Sequence, residues 1–256
     1  MTHSDFVCEI YFETSAGSGT WNMAFDEALL ERCLEYRLCH LRLYRWRRPT
    51  VSLGYFQDAG PDTIPEHLRS LEVVRRLSGG GAILHHHELT YSCTVPPNHP
   101  LAKTPTEIYR LVHECLIDRL REQGVYSAMR GASLAFPQGE PFLCYSRGDE
   151  NDVLCQGHKI IGSAQRRRRG AVLQHGSILL KRSPHAPEYP GIEDLCEGAT
   201  FTENAELCDR LARIFGRPSI VTEVDEFVKS MAVSLDAEKY SFPSRRFEPE
   251  GRGDRS

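Results

Sequence analysis

The chain of 256 residues and 29.0 kDa is long enough to bury one sizeable core, so it does not depend on metal or disulfide staples. Apolar residues make up 40% and charged residues 26%, an ordinary globular mix that excludes global disorder. Thirty-one Lys+Arg against 35 Asp+Glu leave a formal net charge of −4, which supplies no general cationic field and argues against a dedicated nucleic-acid binder.

The N-terminal stretch carries Asp5 and Glu9 and lacks the unbroken apolar segment of a secretory signal. No run of about 18 apolar residues is present, so no spanning helix or membrane partner is expected. The cysteines, Cys8, Cys33, Cys39, Cys93, Cys115, Cys144, Cys155, Cys196 and Cys208, are odd in number and form no C-x-x-C pair. Reduced thiols and a cytoplasmic location follow.

Helical spacing of Met23, Ala24, Leu30, Cys33 and Leu34 predicts a first helix over Asn22–Leu38, with Asp26 and Glu27 in its first turns. Two strands, Leu41–Arg45 and Thr50–Gly54, are separated by Pro49 and expected to pair. After a short strand, Arg76-Leu77-Ser78-Gly79-Gly80-Gly81 forms a loop whose bare backbone can approach a ligand; a flexible turn is the plainer alternative. Alternation from Ile83 to Ser92 then puts His85 and His87 on one face and His86 on the other. With Glu88 and Cys93 these offer zinc donors, but no second ligand cluster follows, so hydrogen bonding is expected and no metal site.

The next helix is predicted to start at Thr104, with Pro105 following and Glu107 completing a capping box. Its apolar stripe is Ile108, Leu111, Val112, Cys115, Leu116 and Leu120, and Gly124 ends it. Asp152–Cys155, His158–Gly162 and Ala171–Leu180 read as a meander, with a step at Gln156–Gly157. Helices over Asn204–Phe215, stopped by Gly216, and Thr222–Leu235 complete a domain expected to cover residues 1–238. From Lys239 onward, apolar residues thin out, and residues 239–256 are expected to be a disordered tail.

Lys159 sits between Gly157 and Gly162 in an apolar strand, where partial desolvation can aim its charge at a carbonyl or phosphate; a solvent-facing lysine is the alternative. Gln174-His175-Gly176-Ser177 interrupts another apolar strand with polar groups that require partners, and is expected to line the same cleft. Arg166 to Arg169 is either a solvated turn or a docking patch for an acidic partner.

Four motifs in register, R-R-L-S-G-G-G-A-I-L-H, E-L-T-Y-S, G-H-K-I-I-G-S-A-Q and L-Q-H-G-S-I-L-L, resemble the lipoate/biotin protein ligase superfamily over roughly residues 10 to 235. The resemblance implies an α/β (α+β) fold with a central mixed β-sheet flanked by helices. It also implies an acyl pocket walled by the glycine loop and the strand lysine. Substrate contacts then fall to Arg76, Ser78, Gly79, Gly80, Gly81, His85, Gly162, Ser163, Ala164 and His175.

Cys144, fifteen residues before Lys159, matches the nucleophile position of the octanoyltransferases of this superfamily. His86, His87 and Glu88-Leu89 also stand where its ligases more often carry an aspartate followed by Gly-Asn, whereas Gly81 is ligase-like. The resemblance thus implies transfer of an octanoyl group from octanoyl-acyl carrier protein, through a thioester on Cys144 assisted by Lys159, to a lipoyl-domain lysine such as that of the glycine-cleavage H protein. No cofactor is implied; an ATP- and Mg-dependent lipoate ligase and a non-catalytic acyl-carrier binder are the alternatives. His85 or His87 is a candidate proton carrier. Cys155 is the rival nucleophile, because strand alternation places it on the Lys159 face.

Overall fold

The computed structural model describes residues 5–13, 15–60, 62–132 and 141–241. In chain order the elements are β1 (Val7–Phe12), α1 (Gly19–Tyr36), β2 (Cys39–Tyr44), β3 (Thr50–Leu53), β4 (Glu72–Arg75), β5 (Ile83–His85) and β6 (Glu88–Val95). Then follow α2 (Pro100–Lys103), α3 (Thr106–Glu122), β7 (Ala128–Met129), β8 (Val153–Cys155), β9 (His158–Arg168) and β10 (Ala171–Leu179). The described chain ends with α4 (Ile192–Leu195), α5 (Ala205–Arg213), β11 (Arg217–Ile220), α6 (Glu226–Leu235) and a wide helical turn over Asp236–Tyr240.

Among the described residues, eight strands form a mixed sheet in the order β11-β1-β2-β6-β10-β9-β8-β7. The first three run parallel and the remaining pairs are antiparallel, so the expected central mixed sheet flanked by helices is present. A smaller sheet, β4-β3-β5, stands beside it. One core joins Ile10, Leu41, Tyr91 and Ile178 of the large sheet to Ile108, Val112, Leu116 and Leu120 of α3 and Leu207 and Leu211 of α5. Each such leucine contributes about 1.5–3 kcal/mol on leaving water. Elsewhere α1 packs through Phe25, Ala28 and Leu29 on Val228 and Ala232 of α6. Asn204 and Asp225 accept from the N–H groups of Leu207 and Val228 at 2.9 Å, capping α5 and α6. Among the described residues, no helix is long and apolar enough to cross a membrane.

Several local expectations are corrected by long-range partners. β2 and β3 do not pair: β2 lies between β1 and β6, while β3 belongs to the small sheet. The stretch from Ile83 to Ser92 is two strands, one in each sheet, and His86-His87 is the turn between them. His85 is consequently buried and His87 exposed, not on a shared face. α1 begins at Gly19, capped by Ser18, which leaves Asp26 and Glu27 well inside the helix as buried partners of other elements. Arg42 donates to Asp26 at 2.8 Å and to Asn22 Oδ1 at 2.9 Å, and Tyr44 and Ser92 also donate to Asp26.

The capping box at Thr104 does not form. Thr104 ends α2 by donating its N–H to Leu101 O, Pro105 leads into α3, and Glu107 pairs with Arg110. Gly124 does adopt the left-handed conformation (φ 79°), whereas Gly216 has an ordinary φ and lets the chain pass the Phe6 carbonyl. α6 starts at Glu226, four residues later than expected. Lys239 and Tyr240 are not tail: both reach Glu27, and Tyr240 is only 1% exposed. The remainder of the expected tail, residues 242–256, lies outside the described residues.

Two-residue turns with positive φ at both positions, Gln156-Gly157 and Arg169-Gly170, join β8 to β9 and β9 to β10 and match the twist of the strands. The arginine run is therefore mostly strand. Arg168 is buried against Glu27 and Glu31, Arg169 also reaches Glu31, and Arg166 lies over the Tyr55 ring, so the four cations do not form one patch.

Candidate active site

Arg76, the residue after β4, is 1% exposed and donates to Ser52 O, Gly79 O and Gly81 O at 2.6–2.7 Å and to Ser78 Oγ at 3.2 Å. The loop therefore folds over its own arginine. Gly54 presses against it so closely that a Cβ there would collide with the Gly80 carbonyl. The loop also docks the next segment: Ala82 N–H donates to Phe142 O at 2.9 Å and Cys144 N–H to Ala82 O at 2.7 Å. These two bonds place Cys144 at the start of a single helical turn, Cys144–Ser146.

Below that turn, Tyr145 OH donates to Leu84 O at 3.1 Å and to Glu88 Oε2 at 3.3 Å. Glu88 is buried and also engages His85 Nδ1 at 2.6 Å, Thr90 at 2.6 Å and Ser177. Burial pushes the Glu88 carboxyl up, yet the His85 ring and these hydrogen bonds together hold it below the usual carboxylate range. His85 Nε2 meets Ser52 Oγ at 2.7 Å, and its ring stacks on Trp46 at 3.8 Å. A similar chain runs from Asp26 through His175 to Ser78. Burial pushes the His175 imidazole down, against the pull of Asp26. Because a guanidinium only donates, both serine oxygens that face Arg76 accept from it, and each hydroxyl hydrogen is available to the neighbouring histidine.

Above this floor lies a cleft of about 210 Å³. Arg76, Gly79, Gly80, Gly81, Cys144, Lys159, Gly162, Ser163 and Ala164 all line it. His85 and His175 line a small adjoining cavity that shares Arg76, Ile83 and Ser177 with the cleft, whereas Ser78 lines neither and supports the loop. Lys159 Nζ lies 3.9 Å from Cys144 Sγ and 3.4 Å from Cys144 O. Gly162 makes room for this reach, since a Cβ there would lie 2.5 Å from Lys159 Cε.

Cys155 is not a second nucleophile beside Lys159. The two positive-φ residues between them reverse the chain, Leu154 is opposite Lys159, and the Cys155 side chain joins the core. The side chains weighed as zinc donors are spread apart: His87 is exposed, Cys93 is in the core and Glu88 serves the floor. Two further residues line the cleft that were not expected from the sequence: Asp152, whose carboxylate is 2.8 Å from Lys159 Nζ, and Arg147, whose Nε occupies space that a side chain on Gly81 would fill. An acidic residue seven positions before the lysine, across a two-residue turn, was the available signal for Asp152.

Fold and site together define an α/β protein in which a glycine loop and a strand lysine wall a narrow cleft that also contains a thiol. The chain belongs to the lipoyl protein ligase A/B catalytic domain family, whose model matches residues 18–186. It is 39% identical over 190 residues to the octanoyltransferase LipM of Kyrpidia tusciae, covering 68% of this chain and 66% of that protein, just under two thirds of its length. It is 34% identical over 237 residues to the octanoyltransferase LipM of Geobacillus kaustophilus, covering 87% of this chain and 79% of that one. Among solved structures, the putative lipoate protein ligase of T. acidophilum with bound lipoic acid matches with a TM-score of 0.67 at 20% identity, over 94% of this chain and 100% of that one. A lipoate-protein ligase A bound with ATP matches with a TM-score of 0.67 at 23% identity, over 92% and 96%. These two likenesses concern the fold.

Proposed function

We propose that this chain is an octanoyltransferase of protein lipoylation. The reading rests on one observation, the 3.9 Å approach of Lys159 Nζ to Cys144 Sγ at the mouth of a glycine-walled cleft, and is supported by the LipM relatives. The donor is octanoyl-acyl carrier protein and the acceptor a lipoyl-domain lysine, with the glycine-cleavage H protein the first to try. The reaction takes place in the cytoplasm, whose reducing medium keeps the Cys144 thiol free.

The Cys144 thiolate attacks the donor's thioester carbonyl, and the negative charge that develops on oxygen lies near the Lys159 ammonium; a well-placed donor of this kind stabilises such charge by about 3 kcal/mol. Collapse forms the octanoyl thioester on Cys144 and breaks the bond to the carrier's sulfur, which leaves as a thiol after gaining a proton. The acceptor's neutral amine then attacks this thioester, an amide forms, the amine proton is lost and the Cys144 thiolate returns. Both donors are already activated thioesters, so the scheme requires no nucleotide and no cofactor.

Incubation with octanoyl-acyl carrier protein and apo acceptor, without ATP, should give octanoylated acceptor, and mass spectrometry should trap the acyl group on Cys144. Transfer at the wild-type rate by Cys144→Ser, or a product that forms only with ATP and free lipoate, would overturn the assignment.

A further inference from the structure

Away from the cleft, the β8–β9 turn meets the end of α4. Cys155 Sγ is 3.7 Å from Cys196 Sγ, although the two are 41 positions apart. Gln156 Nε2 donates to Leu195 O at 2.7 Å and so holds the two backbones together beside the sulfurs. Cys155 is buried and Cys196 half-buried, and neither takes part in the proposed transfer. The connection that ends at Cys196 touches both halves of the cleft. Ala186 packs in one small core with Leu143, and Tyr189 meets Ser146 through its hydroxyl and Tyr145 through its ring, 5.2 Å away. At its other end, Cys196 abuts the hairpin that carries Lys159.

We propose that Cys155 and Cys196 are a reversible oxidation site, closed to a disulfide by a peroxide. The half-buried Cys196 thiol gives its sulfur electrons to one peroxide oxygen, forming a sulfenic acid and releasing one water. The Cys155 sulfur then attacks that sulfenyl sulfur and expels a second water. Two thiols and one hydrogen peroxide become one disulfide and two waters, the peroxide oxygens being reduced and the sulfurs oxidised. Bonding requires the sulfurs to close to about 2.05 Å, which rotation of the Cys196 side chain supplies while the Gln156 bond keeps the backbones in place. The link staples the lysine hairpin to the segment that holds the Cys144 turn, and it restricts the unfolded chain over a long loop.

The full chain is treated with hydrogen peroxide, the remaining thiols are blocked with iodoacetamide, and the protein is digested without reductant. The expected result is a linked peptide pair joining positions 155 and 196, two hydrogens lighter than the sum and separated by dithiothreitol. The oxidised wild type should melt about 5–10 °C above its reduced form, and Cys196→Ser should lose both the link and the gain. Alkyl label on both thiols after peroxide has consumed the Cys144 thiol, or a link from either to another cysteine, would overturn the proposal. Peptide mass reads this outcome without reference to acyl transfer, so its failure is separate from any failure of the proposed function.

Discussion

Asp152 and Lys159 form a buried ion pair: Oδ1 and Nζ are 2.8 Å apart, with side chains 4% and 7% exposed. The cation that faces Cys144 is therefore aimed by a carboxylate from the segment entering the neighbouring strand. Burial pushes the Asp152 carboxyl above its usual range, against the pull of Lys159.

Asp152→Asn should leave Lys159 buried without a counter-charge. The expected cost is about 3 kcal/mol of stability, read by denaturant melts, and a roughly 10–100-fold loss of transfer rate, read in the ATP-free assay. Wild-type values in both measurements would show that the pair has no part in positioning the lysine.

Two glycine substitutions should separate reach from folding. Gly162→Ala places a methyl 2.5 Å from Lys159 Cε, the far part of a flexible side chain, so it should displace the ammonium and reduce transfer about tenfold or more while costing about 1 kcal/mol or less. Gly54→Ala drives a methyl into the Gly80 carbonyl, which is backbone and has little freedom to move, so stability and activity should fall together. Melting curves alongside transfer rates check the contrast.

How much of this was legible in the sequence depends on range. The stripe of α3, the β8–β9–β10 meander and the glycine loop with its lysine are encoded within a few residues and are present as expected. The partners of β2 and β3 were not legible, because they are set by strands far away in the chain; β11, which completes the parallel edge with β1, is of the same kind. Alternation failed for Cys155 because it counts through a turn as if the strand were continuous. The buried partners of Asp26 and Glu27 were hidden for a related reason: a helix dipole is visible locally, whereas Arg42, Arg168 and Tyr240 arrive from other elements.

Acid should unfold the protein in two overlapping windows. Burial pushes the His113 imidazole down to about 4, so its contribution to stability is present above about pH 6.5 and lost as pH falls toward 4. Burial pushes the Glu9 carboxyl up, but the neighbouring His40 ring and hydrogen bonds from Arg32 outweigh it and hold the group at about 2. Its contribution is present above about pH 4.5 and lost as pH falls through 2. Glu9→Gln should cost about 1 kcal/mol at pH 7, after allowance for screening of its part-exposed partners, and flatten the melting temperature below pH 4.5. An unchanged acid limb would refute this assignment.

Ending the chain at residue 238 should be damaging relative to ending it at 241. The shorter form loses Tyr240, which packs with Met23, Trp46 and Val74, and the two groups that donate to Glu27 from this segment. A loss of about 3–5 kcal/mol is expected, read as a lower denaturant midpoint, with transfer retained at low temperature.

The order of strands bears on how the protein behaves when crowded. One outer strand, β11, contains Pro218 and so lacks a donor in its row, while the other, β7, is only two residues long. Among the described residues, neither rim of this sheet offers a foreign chain a continuous template for cross-molecule pairing, so the hydrogen-bonding appetite of a broad sheet is largely satisfied within one molecule and the route to fibre growth is blunted at both ends.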